Sequence, residues 1–231
     1  MTELSPPAAR RVRLTRESVL AAALRLVDAE GGEALTMRRL GQELERDPMA
    51  LYRYADSRAA LLDGVAETVL AELAVVTDGA DWQTQLRRIG HDFRRLALAH
   101  PHVVLLIVAR PLATPLGLRP LGTLRPLEQI LGLLSAAGFA PDRALHVYRA
   151  YFGLLHGHVL NELQEVLVDP QETDALLRLG LDRLPAQEFP HIRGLAAALL
   201  AGYDGAAELD VLLDILLDGL RVDRADPATP G

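Results

Sequence analysis

The segment PMALYRYA, residues 48–55, holds the side chains with the most evident binding chemistry in this sequence. As a short helix it would bury Ala50 and Leu51 on one side. The opposite side would carry aromatic, apolar and basic residues, namely Met49, Tyr52, Arg53 and Tyr54. An exposed side of that kind lowers solubility unless a partner docks on it, so we interpret it as a docking surface.

Motifs for catalysis are absent from the sequence, which contains no HExxH, GxSxG, P-loop or GxGxxG pattern. The lack of cysteine excludes thiolate zinc sites and cysteine nucleophiles. The seven histidines are scattered, and His156 and His158 do not have the i, i+4 spacing of a helical metal pair. We therefore expect neither an enzyme nor a metal or other cofactor. The alternative is an all-α enzyme with His91, Asp92 and His156 as acid–base groups.

Two short predicted helices position the docking surface. Thr36 is a good N-cap for the first, and Asp47 followed by Pro48 is a strong signal for the start of the second. A longer helix that begins near Thr15 precedes them, and a fourth helix capped by Ser57 follows. Two short helices separated by a three-residue turn and packed on a longer helix predict a helix-turn-helix.

The charge distribution separates this part of the chain from the rest. The net charge is −7, and all 24 basic residues are arginine. Residues 1–58 hold 10 arginines and 9 acids, whereas residues 59–231 hold 14 arginines and 22 acids. The sequence therefore predicts a locally basic head on an acidic body, and the distribution matters more than the sum.

The rest of the chain also predicts helices, so the fold class is all-α. We expect helices near 82–100, 126–138, 141–168, 173–183, 190–201 and 206–223. The proline- and glycine-dense stretch 111–126 is expected to be irregular. We divide the chain into a flexible basic arm at 1–13, a helix-turn-helix domain at 14–74, a larger helical domain at 75–223 and a disordered tail at 224–231.

The apolar runs are too short to span a bilayer, and the N-terminus has no apolar signal-peptide core. We therefore expect a cytoplasmic protein without a membrane partner.

The last predicted helix carries apolar residues on more than one side. Leu209, Leu213 and Leu217 belong to one stripe, and Val211 and Ile215 add apolar area beside it. Such a helix must bury surface in two directions, and a second copy of the chain is one partner that would allow this. The glycines at 153 and 157 would permit close approach of the long helix. We expect a homodimer through the helices near 141–168 and 206–223; the alternative is that both helices are central in a large monomer.

The run LTMRRLGQELERDPMALYRYADSRAALLDGVAE, residues 35–67, resembles the DNA-binding head of the tetracycline-repressor family. The residues that carry the resemblance are Thr36, Arg38, Leu40, Gly41, Leu44, Ala50, Leu51, Tyr52, Tyr54, Arg58, Leu61 and Leu62. A looser similarity to the tetracycline-repressor type of C-terminal domain includes Trp82-Gln83, Arg110-Pro111 and residues 184–197. The resemblance implies an N-terminal three-helix helix-turn-helix domain and a larger helical ligand-binding and dimerisation domain.

The family resemblance implies a homodimeric repressor that binds a palindromic DNA operator and is released by a small-molecule inducer. The residues expected to contact DNA are Thr36, Met37, Arg38, Asp47, Pro48, Met49, Tyr52, Arg53, Tyr54 and Arg58. Among them, Arg38 would bind guanine, Met49 a thymine methyl, and Tyr52 a phosphate. The arginines of the arm at 10, 11 and 13 would follow the backbone or a minor groove. Activation instead of repression, or an anti-repressor adaptor with the same head, remains open.

One departure from the family pattern falls at the turn between the two short helices, where Glu45 stands in place of the usual glycine. A glutamate there either adopts a left-handed backbone or alters the turn.

Candidate ligand residues lie on internal faces of the larger domain: Ile89, Phe93, Leu106, Arg110, Tyr148, Tyr151, Phe152 and His156. Plain core packing is the alternative for this set. The positions that would bind tetracycline and magnesium by resemblance are apolar here, at Ile89 and at Leu106 or Ile107. We therefore expect neither tetracycline nor a metal, and we hypothesise an apolar inducer.

Overall fold

The computed structural model describes residues 14–73, 75, 79–108, 119–166 and 170–220. The described residues form α-helices with one short 3₁₀ turn at Gly32–Ala34 and no strand, which confirms the all-α class. The helices are α1 Arg16–Glu30, α2 Met37–Glu43, α3 Pro48–Leu51, α4 Arg58–Leu70, α5 Trp82–Ala99, α6 Pro101–Val108, α7 Leu121–Ala136, α8 Pro141–Val166, α9 Pro170–Arg183, α10 Pro190–Gly194, α11 Ala196–Leu200 and α12 Gly205–Gly219. The predicted arm at 1–13 and tail at 224–231 lie outside the described residues.

The helix starts of the head are set by local caps, as the sequence predicts. The hydroxyl of Thr15 accepts from the Ser18 N–H at the start of α1, and Thr36 does the same for Arg39 in α2. Asp47 caps α3 through the Met49 N–H at 2.8 Å, and Ser57 caps α4. Each cap satisfies a backbone donor that the first turn of a helix leaves without an intrahelical partner.

The head packs α1 against α4, with α2 and α3 across one end. The side chains of Val19, Leu40, Leu51 and Leu61 are fully buried between them. The approach of α1 and α4 depends on Gly64, because a Cβ atom there would lie 2.5 Å from a methyl carbon of Leu20. The helix-turn-helix is therefore held on a rigid two-helix base.

The second short helix is shorter than the predicted rod over 48–55. Helix α3 ends at Leu51, and residues 52–54 form a turn in which the N–H groups of Tyr54 and Ala55 both donate to the Leu51 carbonyl. Leu51 and Ala55 are both buried, and the turn between them leads the chain to the Ser57 cap. A single helical turn has few internal hydrogen bonds to extend it further.

The body is built from α5, α6, α7, α8 and α12. Its core contains Phe93, Ile130, Tyr151 and Leu213, which are almost completely buried. Helix α5 contacts α6, α8 and α12, and α6 and α7 also contact α4 of the head. Helix α11 contacts both α9 and α10.

Helix α7 corrects one expectation from the sequence. It begins at Leu121 rather than near 126, so part of the stretch expected to be irregular is helical with Pro126 inside it. Pro126 removes one backbone hydrogen bond of the helix, and its side chain is buried. The segment predicted as one helix at 190–201 is likewise two short helices that meet at Leu195.

Helix α9 begins earlier than predicted, and α8 and α12 match the expected positions within a few residues. Among the described residues, no helix combines the length and apolar character needed to cross a bilayer.

Candidate nucleic-acid interface and ligand cavity

The outer surface of α2 and α3 presents several of the residues predicted to contact DNA. Met49 is 72% exposed and Tyr52 is 43% exposed, and Arg38 and Arg53 are exposed as well. The hydroxyl of Thr36 and the carboxylate of Asp47 are engaged as helix caps. Asp47 therefore has a structural role that also brings its negative charge onto this surface.

Two of the predicted DNA contacts, Tyr54 and Arg58, also form hydrogen bonds within the head. The Tyr54 hydroxyl donates to the Leu14 carbonyl at 2.9 Å, just before α1, and its ring packs on the core of the head. The Arg58 guanidinium donates to the carbonyls of Leu35 and Gly32 at 2.9 and 2.7 Å. These bonds fix the loop before α2, a role that sequence reasoning missed because the partners lie more than twenty residues away.

Met37 and Pro48 are half-buried where α2 and α3 meet. A Cβ atom at Gly41 would lie 2.8 Å from the Arg46 carbonyl oxygen and 3.2 Å from the Pro48 ring. Only glycine allows this approach without a shift of backbone, so Gly41 sets the spacing between the two helices.

The turn between α2 and α3 has a left-handed residue. Glu45 has φ +52°, and it is the only non-glycine residue with positive φ in the described part of the chain. Its N–H donates to the Gln42 carbonyl, and the Arg46 N–H donates to the Gly41 carbonyl at 2.9 Å. Glu45 therefore takes the first of the two alternatives left open by the sequence: it adopts the conformation that glycine adopts without strain.

A cavity of about 620 Å³ lies between the head and the body. Its walls come from α4, α5, α6, α7 and α8, together with the residues just before α7. The lining residues are Ala59, Asp63, Ala66, Leu70, Leu73, Phe93, Ile107, Val108, Arg119, Pro120, Thr123, Pro126, Leu127, Tyr148, Arg149, Phe152, Gly153 and His156. A volume of this size suits a small organic ligand.

Four of the predicted ligand residues line this cavity, and they form an aromatic group. The Phe152 ring lies 4.7 Å from the Tyr148 ring, 6.0 Å from the Phe93 ring and 5.6 Å from the His156 ring, measured between centroids. Burial lowers the pKa of His156 and raises that of Tyr148, so both side chains are neutral near pH 7. This group offers flat, polarisable walls to a ligand.

Three other predicted ligand residues do not line the cavity. Ile89 is buried in the body, and Leu106 packs against Gly32 of the head. The Tyr151 hydroxyl donates to the Leu86 carbonyl at 2.6 Å, and burial raises its pKa. Ile89 and Tyr151 belong to the buried core and Leu106 is partly buried against it, which favours the core-packing alternative, and their role as ligand contacts stays a prediction. Arg110 lies outside the described residues.

Sequence reasoning missed the polar residues of the cavity, which are Asp63, Arg119, Thr123 and Arg149. One signal was present in the sequence. Residues 59, 63, 66, 70 and 73 share one face of α4, and Asp63 is the single acid in that otherwise apolar stripe. Arg119 and Thr123 were not found because the start of α7 was expected to be irregular, and Arg149 was not found although it lies in a predicted helix next to Tyr148.

A buried ion pair lies in the body outside this cavity. Arg94 of α5 donates through Nε and Nη2 to both carboxylate oxygens of Glu162 in α8. His158 is buried one turn earlier, 3.5 Å from the same carboxylate. Desolvation, reinforced by the charge of Arg94, lowers the pKa of His158 against the opposing effect of Glu162. At the start of α12, Gly205 contacts Glu162 so closely that any Cβ would overlap the carboxylate.

The acid–base group considered for an enzyme is not assembled. His91 pairs with Asp210 of α12 at 2.8 Å, and Asp92 pairs with Arg95 on its own helix. His156 instead lines the cavity. Within the described residues, no cluster of three or more histidine, aspartate or glutamate side chains is arranged to hold a metal.

An all-α chain with a helix-turn-helix head and a cavity that borders the head has the architecture of a ligand-responsive transcriptional regulator. A family model described as bacterial regulatory proteins, tetR family, matches residues 19–65. A second model, described as the tetracyclin repressor-like C-terminal domain, matches residues 77–224. The chain therefore belongs to the tetR family of bacterial transcriptional regulators.

Individual relatives agree with this assignment. An HTH-type transcriptional regulator from Saccharopolyspora erythraea is 31% identical over 150 residues, which cover 64% of this chain and 61% of the relative. The class C tetracycline repressor protein from Escherichia coli is 29% identical over 217 residues, which cover 92% of this chain and 93% of that protein. Both relatives are regulators rather than enzymes.

Among solved structures, the tetR family protein ActR from Streptomyces coelicolor, in complex with actinorhodin, matches with a TM-score of 0.75. The sequences are 27% identical, and the match covers 90% of this chain and 97% of ActR.

Proposed function

We propose that this protein is a transcriptional repressor that binds a palindromic operator as a homodimer and releases it when a small molecule enters the cavity. The observation that carries the proposal is the position of α4. This helix belongs to the packed base of the head, and it also forms one wall of the cavity through Asp63, Ala66 and Leu70. A ligand that favours one position of α4 thereby favours one orientation of the head.

On DNA, α3 and the exposed side of α2 would enter the major groove. Arg38 suits the two acceptors of guanine, and Met49 suits a thymine methyl group. The exposed Tyr52 hydroxyl suits a phosphate. Tyr54 and Arg58 would act chiefly by holding the head together, given their bonds to Leu14 and to the loop before α2.

The dimer is required because one recognition helix reads only a few base pairs, and two must lie about 34–36 Å apart on a palindrome. Val211 and Ile215 of α12 are exposed apolar residues, 52% and 69% accessible. Gly153 and Gly157 of α8 are open to close approach, with no atom within 4 Å of a Cβ built on either. We propose that the head at 14–74 and the body at 75–223 act as the two functional units, with α8 and α12 forming the interface between bodies.

The cavity residues favour an aromatic inducer that carries an acidic group. Phe93, Tyr148 and Phe152 supply flat apolar walls, and the two charges of Arg119 and Arg149 exceed the single negative charge of Asp63 in the same lining. This modifies the expectation of a purely apolar inducer. The similarity to ActR, whose structure contains actinorhodin, supports an organic ligand for the cavity of this protein as well.

The DNA part of the proposal is tested with Arg38→Ala on a duplex selected from a random library. We expect a loss of about 1–3 kcal/mol, roughly 5- to 150-fold in affinity, together with relaxed preference at one base pair of each half-site. Arg25→Ala is the control, because Arg25 is an exposed arginine of α1 outside α2 and α3. Gel shifts and sedimentation on the same samples report affinity and stoichiometry. Binding by one chain per duplex, or an equal loss on every sequence, would contradict this reading.

The ligand part is tested with Phe152→Leu. A set of aromatic carboxylic acids is first screened for compounds that raise the melting temperature and release the operator. We expect the substitution to weaken release at least tenfold, because a central ring of the aromatic group is lost while apolar volume remains. Phe139→Leu is the matched control, since Phe139 is buried against Trp82 away from the cavity. Equal behaviour of the two variants would place the ligand elsewhere.

A further inference from the structure

Glu67 joins three helices at the boundary between head and body. Its side chain lies on α4 and is 21% exposed. One carboxylate oxygen, Oε1, accepts from the backbone N–H of Gly122 in the first turn of α7 at 3.0 Å. The other oxygen, Oε2, accepts from Arg16, the first residue of α1, at 3.2 Å. A single carboxylate thus connects the start of α7 to the start of α1.

The contact with α7 is a cap supplied from another helix. Pro120 occupies the N-cap position of α7 and has no side-chain oxygen to accept a hydrogen bond. The N-terminus of a helix carries partial positive charge and N–H groups without intrahelical partners, so a carboxylate is favoured there. The approach needs glycine at 122, because a Cβ atom would lie 2.7 Å from Oε1 and 2.9 Å from Cδ of Glu67.

Each end of this connection leads to a surface with a proposed role. Pro120 and Thr123, on either side of Gly122, line the cavity. At the other end, Arg16 follows Leu14, whose carbonyl accepts from the Tyr54 hydroxyl at the end of the recognition segment. The connection therefore runs from the cavity wall to the start of α1 and to the Tyr54 end of the recognition segment.

We propose that Glu67 is a positioning residue that couples the state of the cavity to the state of the head. This inference rests on the proposed function. A ligand that displaces the first turn of α7 weakens the hydrogen bond between Glu67 and the Gly122 N–H. The Glu67 carboxylate can then move, which changes its hydrogen bond to Arg16 and thereby the position of the start of α1. By reciprocity, DNA bound to the head must stabilise the first turn of α7.

Hydrogen exchange of the full chain tests this without knowledge of the inducer. The probe is a duplex selected from a random library, and the readout is exchange at the amides of residues 121–124 by mass spectrometry. In the unmodified chain, saturation with the duplex should slow exchange there about fivefold or more, in line with ordinary coupling strengths. In Glu67→Ala the change should fall below about twofold, while amides of α2 and α3 still become protected by DNA.

Two further variants separate loss of coupling from loss of folding. Gly122→Ala disturbs the same contact from α7 without removing the carboxylate, and it should also abolish the response. Gly132→Ala in the same helix, where a Cβ meets nothing within 4 Å, should leave the response unchanged. Melting temperatures of all three variants monitor folding.

The possible outcomes distinguish a failure of the Glu67 coupling from a failure of the proposed function. A full response at 121–124 in Glu67→Ala, or protection of the head without any response at 121–124 in the unmodified chain, would overturn the role of Glu67 alone. Failure of selection to yield a bound duplex would overturn the proposed function, and this inference with it.

Discussion

Replacement of Glu45 by glycine should stabilise the protein, although it removes a side chain. Glu45 has φ +52° in the turn between α2 and α3. In this left-handed conformation the Cβ atom of an L-residue lies too close to the carbonyl oxygen that follows it, which raises the energy of the folded state. The side chain is exposed, so its removal takes no packing from the core. The backbone bonds of the turn, from the N–H groups of Glu45 and Arg46, are compatible with glycine.

The magnitude follows from two opposing effects. A left-handed L-residue costs roughly 1–2 kcal/mol relative to glycine, and this strain would be relieved. Glycine in the unfolded chain has more conformational freedom, which takes back about 0.4–1 kcal/mol. The net gain in free energy of unfolding is therefore about 0–1.6 kcal/mol, with a midpoint of about 0.8 kcal/mol. For a chain of this size the midpoint corresponds to a rise in Tm of about 2–3 °C.

Urea denaturation followed by circular dichroism measures the gain, with Glu45→Ala as the matched control. Alanine removes the same charge and the same polar group but keeps the Cβ atom, so the strain remains and no comparable gain is expected. If Glu45→Ala stabilises as much as Glu45→Gly, the effect comes from charge and the strain argument is refuted. A Glu45→Gly protein that is no more stable than the original would refute it as well.

Two more predictions concern the buried ion pair and its surroundings. Gly205→Ala should destabilise the protein by about 1–3 kcal/mol in urea denaturation, because the new methyl group overlaps the Glu162 carboxylate, whereas Gly219→Ala at the other end of α12 meets nothing and should be close to neutral. Acid should also destabilise the fold through His158: its pKa is lowered in the folded state below the ordinary 6.5, so its contribution is present above about pH 6.5 and is lost as the pH falls through the lowered value. Urea denaturation at about pH 7.5 and about pH 5.5 should show a smaller loss for His158→Gln than for the original chain, and equal losses would rule out this assignment.

The sequence alone was sufficient for the helix starts of the head. Thr15, Thr36, Asp47 and Ser57 begin their helices where predicted, because an N-cap bonds to a backbone group two or three residues away. The apolar side of each helix is equally local, since 3.6-residue periodicity alone decides which residues share a face. Met49 and Tyr52 are exposed, as that pattern predicts. The end of α3 was not predicted, because the helix stops at Leu51 and residues 52–54 form a turn.

Only the tertiary structure decided which side chains meet at the cavity and at the boundary of head and body. Tyr148 and Tyr151 are three residues apart on α8, yet one lines the cavity and the other bonds to α5, because the helices packed on each side differ. The bonds of Arg58 to the carbonyls of Leu35 and Gly32, more than twenty residues away, could not be predicted from the sequence either. The start of α7 could not be predicted from its prolines and glycines. The backbone hydrogen bond that Pro126 cannot form is offset by burial of its side chain, and the Gly122 N–H donates to the Glu67 carboxylate of α4. Contacts between residues far apart in the chain depend on the relative positions of whole helices, and no local pattern in the sequence specifies those positions.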